Sequence, residues 1–546
     1  MTTTTSTVVE LENLNKADVA SDDYNVAGSR SDGEPPSLHS SRNNQPNRSG
    51  TEPAPESVVA TAHGRYRMSR LQASLVVATL TGVSFLNTMG SGILTVALPT
   101  IVRDVGLDET LLLWPASVYA LAAGCTLLPF GAVGDVIGAR RVWLTGAALY
   151  SLFTLAVGLC RAPAQLIGFR AVLGLAIAMC LPTAVSLTTN GFLPGRWRNL
   201  AFACQGMGQP LGYSLGLILG GVFTDTIGWR WGFYVSAIIN AVLTACAFRV
   251  LPSPPPHDKD NKALFQRLRH GMDWVGAVTI SASLGILSYV FSVISRDYRS
   301  LREAHNIVLF VLAVCLIPAF VFWVHRQERL GRPALVPNSL WKNVPFTSIC
   351  AAVFFTWAVF NAYQYFSALY FEHVEDLSAL ETSIRFLPMV IVGAATNIVT
   401  GFLVEKVEVR YLVSYSAVIT LASPLLMALV TPSWGYWKGA FIAMLLSPLH
   451  PDVLFTVSNL IISQAYPGKS QSLAGGVFNA VSQVGNSVGL AVTAAISSSV
   501  TQQNSSDDAL LRGYHAAFWT CFAAMFLVVP ITFFGLKMGG KVGSSK

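Results

Sequence analysis

Charge is scarce in this chain. Asp, Glu, Lys and Arg make up 12% of its 546 residues, while hydrophobic residues make up 52%; a soluble domain carries roughly 25% charged residues. The deficit argues against a string of soluble domains, because the apolar residues come in long blocks rather than amphipathic stripes. About 20 apolar residues, rising 1.5 Å each, cross the hydrocarbon core of a bilayer. Metal-ligand spacing is missing as well. The eight cysteines contain no CxxC pair and fall in or at the ends of apolar blocks, which reads as small apolar packing residues. There is no phosphate-binding loop, no metal cluster and no Ser/His/Asp arrangement, so the sequence predicts neither enzyme chemistry nor a cofactor or metal. The first 64 residues lack hydrophobicity, being rich in Ser, Thr, Asn and Pro. Such a segment cannot bury enough apolar surface to offset its chain entropy. It has no apolar h-region, so no cleavable signal peptide is expected and the first apolar block directs insertion. The net charge of +7 is not a nucleic-acid footprint, because the basic residues sit between apolar blocks.

What is present is a series of blocks near 71–98, 111–132, 142–160, 164–190, 200–224, 229–251, 272–294, 305–325, 346–371, 383–404, 411–431, 437–463, 472–499 and 515–536. With both termini cytoplasmic, the inner loops and span ends hold 22 Lys and Arg residues and the outer loops 9. That asymmetry follows the positive-inside rule, and one span more or fewer would scramble it. Short loops join the first six blocks. A Pro-rich, charged stretch (Pro252 to Gly271) precedes two more, and a polar stretch (Arg326 to Asn343) precedes the last six. The expected fold is an all-α polytopic membrane protein of about 14 transmembrane helices, arranged 6 + 2 + 6. Its parts are a disordered cytoplasmic tail (1–70), an N-terminal six-helix bundle (71–251), a linker with two extra helices (252–345), a C-terminal six-helix bundle (346–537) and a short cytoplasmic tail (538–546). Repeated halves of this kind place a binding site between them, near the midplane.

Several segments carry chemistry. The loop after the second block reads Gly131-Ala-Val-Gly-Asp135-Val-Ile-Gly138-Ala-Arg140-Arg141: glycines for a tight turn, and an aspartate placed to pair with Arg140 or Arg141 or to cap the next helix. The fifth block carries Gly208, Gly212, Gly216 and Gly220, four apart and therefore on one smooth helix face, with Pro210 as a kink. In the first block Ser84, Asn87, Ser91 and Thr95 recur at helical spacing and form a polar stripe turned away from lipid. Asp452 and Arg170 are charges inside apolar blocks, and such charges mark ion or substrate paths; both are candidates for proton coupling. His450, two residues from Asp452, points to another helix face and reads as a bystander. Asn479, Gln483 and Asn486 share one face of the thirteenth block, and Asn361, Gln364 and Tyr365 lie in the ninth; with Asn87 and Ser91 these amides and hydroxyls suit a neutral or weakly charged substrate, or else serve as interhelical hydrogen-bond glue. Asn504-Ser-Ser506 is a glycosylation sequon in the last outer loop.

The Gly131–Arg141 loop, lying between two spans, resembles the signature loop of the major facilitator superfamily, where it locks two helix bundles together. The Gly/Pro-rich fifth block resembles that superfamily's antiporter motif, except that Pro210 is not next to a glycine. The run from Arg170 to Gly174 resembles its fourth-span arginine motif. Phe85-Leu-Asn87-Thr-Met-Gly-Ser91, Gly228-Trp229-Arg230-Trp231 and Leu446-Ser-Pro-Leu-His-Pro-Asp452 resemble the fourteen-span drug:proton antiporter family 2, in a fungal subgroup of aminotriazole-resistance pumps, boron exporters and low-affinity ammonium transporters. Most of that family has Asp where this chain has Asn87. The resemblance covers about residues 70–535. It implies a secondary active transporter, working as a monomer in the plasma membrane, that expels a drug-like compound, secondary metabolite or small polar solute in exchange for protons. A vacuolar membrane fits the same sequence. Two other readings stand beside it: a facilitator or importer of a solute such as ammonium, and a non-transporting membrane sensor.

Overall fold

The computed structural model describes residues 69–107, 114–193, 195–252, 261–294, 300, 302–465, 470–503 and 508–536. The N-terminal tail through residue 68, the C-terminal tail 538–546 and the sequon asparagine Asn504 lie outside the described residues. The regular elements within them are helical: α1 (Arg70–Val105), α2 (Trp114–Ile137), α3 (Ala139–Leu159), α4 (Pro163–Gly191), α5 (Arg196–Asp225), α6 (Arg230–Val250), α7 (Asn261–Gly271), α8 (Trp274–Ile294), α9 (Ala304–Arg329), α10 (Val344–His373), α11 (Ala379–Leu403), α12 (Val409–Leu429), α13 (Gly435–Lys438), α14 (Ala440–Leu446), α15 (Leu449–Ala465), α16 (Gln471–Gln503) and α17 (Ala509–Gly535). A short 3₁₀ turn, Asn338–Lys342, precedes α10.

Thirteen stretches among the described residues are long and apolar enough to cross a membrane. Helix α5 is the fourteenth long element. Its 30 residues reach about 45 Å, but Arg196, Arg198, Asn199, Gln205 and Gln209 lower its mean hydropathy. Of these, Arg198, Asn199 and Gln205 are buried against other helices rather than turned to lipid. Two boundaries differ from the sequence reading. The second half of the charged stretch before Gly271 folds as α7, whose Arg267, Arg269 and His270 are exposed. The stretch 437–463 is broken: α14 and α15 meet at Ser447 and Pro448, because proline has no N–H to continue the ladder.

Packing gathers the helices into two sets. In the first, α1 lies along α5 and α6, and α4 along α2 and α3, over a core containing Trp143, Trp229 and Phe233. In the second, α10 packs on α16 and α17, and α12 on α17, over cores containing Phe346, Phe478 and Phe518. Helices α8 and α9 pair with each other, and α8 rests on α2 and α16. In lipid, close packing of small residues replaces the hydrophobic effect as the driving force between helices. The glycine face of α5 does this against α1: a Cβ on Gly220 would lie 2.9 Å from the Ile93 Cα, and one on Gly212 or Gly216 would run into the backbone at Phe85 or Met89. The C-terminal end of α1 and the start of α6 are tied by Asp104, which accepts from Trp229 Nε1 at 2.9 Å and from Arg230 Nη1 at 3.2 Å.

Candidate functional site

The two helix sets meet along two seams, α2 and α4 against α16, and α5 against α11. The first is closed by Asp135, in the last turn of α2, two residues before its end. Its Oδ1 accepts from the Ser472 N–H at 2.8 Å and its Oδ2 from the Leu473 N–H at 2.8 Å. These are orphan donors at the N-terminus of α16, where the helix dipole also favours a carboxylate. Small residues make the approach possible: a Cβ on Gly131 would lie 2.8 Å from the Ser472 carbonyl oxygen, and one on Gly134 2.7 Å from Thr183 Cγ2. Gly138 takes φ +105° to turn the chain into α3. The sequence reading paired Asp135 with Arg140 or Arg141, or with the next helix. The carboxylate instead bridges to the other set, Gly138 caps α3 without a side-chain bond, and Arg140 donates to the Phe248 carbonyl at 2.5 Å.

A second bridge, unforeseen in the sequence, closes the other seam at the same end of the molecule. Glu405, just past the C-terminus of α11, accepts from Asn199 Nδ2 at 3.0 Å and lies 3.6 Å from Arg196 Nε. Both partners belong to the first turn of α5. The arrangement repeats the first: an acid at the end of the second helix of one set meets the start of the fifth helix of the other. The signal was present as an echo, Gly131-x-x-x-Asp135 and Gly401-x-x-x-Glu405. Deeper in this seam Gly401 lies against Ala203, and Gly206 faces Asn397 and Phe455.

Asp452 sits behind that contact, in the first turn of α15 after the break. It is buried, and a Cβ on Gly393 would lie 2.6 Å from its Oδ2. The Asn397 amide stands beside it, donating to the Gly393 carbonyl at 3.1 Å. Among the described residues, the Asp452 Oδ2 and the Asn397 Oδ1 have no hydrogen-bond partner. A buried carboxylate without a counter-charge is costly to keep ionised. His450 is separate from this chemistry: its ring lies between Ser416 Oγ at 3.0 Å and Thr356 Oγ1 at 3.1 Å.

Arg170 is not a partner of Asp452. It belongs to the first helix set, donating from Nε to the Pro115 carbonyl at 3.0 Å with its guanidinium 4.4 Å from the Tyr119 ring. The Tyr119 hydroxyl in turn donates to Asn87 Oδ1. Arg170, Tyr119 and Asn87 thus form one chain linking α4, α2 and α1, which ties Asn87 to a cation through a neutral ring. Further along α1, Ser91 and Thr95 bond to their own helix, at the Asn87 and Ser91 carbonyls.

The amides of α16 divide between local bonds and the seam. Asn479 donates to the Gly475 carbonyl at 2.9 Å and Asn486 to Gln483 Oε1 at 3.0 Å. Gln483 faces Gly124 of α2 across the seam. On α10, Asn361 and Tyr365 are exposed and Gln364 is half-buried. Near the turn between α10 and α11, Arg385 Nη1 lies 3.4 Å from Glu375 Oε2 and its guanidinium 4.1 Å from the Tyr436 ring. Burial pushes the Glu375 carboxyl above its ordinary value, against the opposing pull of Arg385 and a Tyr370 hydrogen bond.

Comparison with known proteins fits this geometry. A sequence profile described as Major Facilitator Superfamily matches residues 80–451. The MFS-type transporter 1 of Pyricularia oryzae is 63% identical over 542 residues, covering 90% of this chain and 88% of the relative. The aminotriazole resistance protein of Saccharomyces cerevisiae is 26% identical over 415 residues, covering 74% of this chain and 73% of the relative. Among solved structures, the human organic anion transporter MFSD10 matches with a TM-score of 0.61 at 15% identity, covering 85% of this chain and 99% of that one; at this identity the likeness shows the fold alone. With its two interlocked helix sets, its apolar spans and these matches, the chain is a multi-pass membrane protein and secondary transporter that belongs to the Major Facilitator Superfamily.

Proposed function

We propose that this carrier exports a small molecule in exchange for protons, with Asp452 as the residue that takes up and releases the coupling proton. The observation that carries the reading is the position of Asp452: buried, with an unpartnered oxygen, beside an amide that faces the seam between the two sets. A proton neutralises such a group at the least cost, and its arrival and departure change what Asn397 and Gly206 meet across the seam. Two bundles, 71–251 and 346–537, rock about a site between them, and the two acid bridges hold the cytoplasmic side shut in the form described. The bias of basic residues toward that side supports cytoplasmic termini. The cavity groups are Asn87, Ser91, Asn361, Gln364, Asn479, Gln483 and Asn486, and Arg170 orients Asn87 through Tyr119. A drug-like compound, secondary metabolite or small polar solute is the cargo class, the plasma membrane the location and the monomer the working unit; a relative named for resistance supports export.

The energetics are adequate. A proton falling through one pH unit and 100 mV releases about 1.4 and about 2.3 kcal/mol, which supports a gradient on the order of 10² for a neutral cargo. The test is a substrate screen in cells with and without the protein, followed by transport of the hit in membrane vesicles under an imposed pH gradient. Export that accelerates when the opposite side is acidified, and that Asp452→Asn abolishes at normal surface expression, is expected. Flux indifferent to the pH gradient, or a fully active Asp452→Asn protein, would sink the proposal.

A further inference from the structure

Helices α8 and α9 stand outside the two sets, and the outer face of α9 opens a groove of about 570 Å³ lined by Ile317, Pro318, Val321, Phe322, His325 and Asn338. Phe322 is 73% exposed, so in a spanning helix this face meets lipid. The groove ends at the polar surface, where Asn338 crosses over and donates to the Val321 carbonyl at 2.9 Å. Beyond that wall stand Arg326, Arg329, Arg332 and Lys342, all exposed. The nearby acid is already engaged: Glu328 Oε1 accepts from the Ser339 N–H at 3.2 Å and from its hydroxyl at 2.8 Å. Among the described residues none of the four cations is in an ion pair; Arg326 lies 5.7 Å from the Trp323 ring. Trp323 donates to Asp273 Oδ1 at 2.8 Å, which fixes α9 to the start of α8. Gly271, beside that start, lies near Val136 of α2, so this rim is on the same membrane face as the Asp135 bridge. Trp341, 44% exposed, adds an aromatic side chain of the kind that sits at headgroup level.

We propose that this groove and its basic rim form a binding site for an anionic phospholipid, with an acyl chain along Ile317–Phe322 and the phosphate among Arg326, Arg329 and Arg332. Both halves of the surface contribute. An apolar groove alone takes any lipid tail; unpaired cations alone take any phosphate; together they select a molecule that is apolar at one end and negative at the other. Basic residues beside a membrane attract anionic headgroups over zwitterionic ones, and Arg holds a phosphate through paired N–H donors. The inference rests only on the chain spanning a bilayer and is independent of its cargo and coupling ion.

The test uses the purified full-length protein, delipidated in mild detergent and offered phosphatidylserine and phosphatidylcholine in equal amounts, with bound lipid counted by native mass spectrometry. Retention of phosphatidylserine over phosphatidylcholine by roughly tenfold is expected. The triple variant Arg326→Gln, Arg329→Gln, Arg332→Gln alters exposed positions only and is expected to lose the preference. Val321→Trp fills the groove, leaves the cations in place, and is expected to lower phosphatidylserine retention several-fold. Glycerophosphoserine, the headgroup without its chains, is expected not to compete. Equal retention of the two lipids by the unaltered protein would overturn the proposal. So would an undiminished preference in the triple variant, full retention in Val321→Trp, or effective competition by the bare headgroup.

Discussion

On one seam a carboxylate holds the two helix sets together through two backbone N–H groups; on the other a carboxylate does so through one side-chain amide and one arginine that is 81% exposed. The topology is the same and the chemistry is not. A charge-assisted bond to a backbone donor is worth about 1.5–3 kcal/mol, and the helix start at Ser472 supplies two that no side-chain rotation removes. On the other seam the Asn199 amide supplies one bond of that kind, and an ion pair as exposed as Arg196–Glu405 adds only roughly 0–1 kcal/mol. The lesson is that a repeated fold need not carry a repeated strength. Two backbone bonds against one side-chain bond make the Asp135 contact the stronger of the two.

The comparison can be broken most forcefully at Asp135. Asp135→Asn keeps the shape and removes the charge, so the closed form is expected to lose about 2 kcal/mol, or roughly thirtyfold in its population ratio. Paired spin labels across α2 and α16 would report the opening, and an unchanged distance distribution would refute the strength assigned to this bridge. Next in size are the glycines that let the seams close. Gly134→Ala puts a Cβ against Thr183 and Ser472, at 2.7 Å and 3.0 Å, whereas Gly401→Ala meets the Ala203 Cβ at 3.0 Å and otherwise makes ordinary contacts at 3.6 Å and beyond. The first is expected to lower thermal stability by about 1–3 kcal/mol and the second by less, as read from detergent melting curves. Glu405→Gln is expected to shift the same spin-label distances across α5 and α11 by less than about 1 kcal/mol, and added salt should mask the difference. A change as large as that of Asp135→Asn would erase the asymmetry.

The smallest expected effect lies away from both seams. Because Glu375 titrates above its ordinary value, the folded protein holds that proton more tightly than the unfolded chain. Its contribution to stability is therefore complete at pH below the ordinary carboxylate range and is lost as pH rises through the raised value. Glu375→Gln should flatten that slope in melting curves without moving either seam.

Much of the fold was legible because a bilayer imposes a length on every apolar block and a sign on every loop. The interruption at Ser447 and Pro448 was not foreseen, since the apolar run continues through it. The helix α7 was hidden by reading charge and proline as connection. In the site, Asp135 stood out by its glycine setting, but its partners are backbone groups 337 and 338 residues away, and a backbone N–H leaves no mark in a sequence. Asp452 was visible as a charge in an apolar block. Asn397 was not, because a lone amide in a spanning helix looks the same whether it glues helices or neighbours an acid. Arg170 was visible in the same way, but its partners, the Pro115 carbonyl and the Tyr119 ring, are groups that a charge count does not reveal.

The claim that proton uptake at Asp452 drives the opening of the seams is tested most directly without knowing the cargo. Spin labels placed across α5 and α11 in lipid nanodiscs would be followed by pulsed electron spectroscopy as pH is stepped from alkaline to acid. The expected result is a pH-dependent shift between two distances in the unaltered protein that disappears in Asp452→Asn, which stays in one form across the range. An identical pH dependence in both proteins would contradict the account.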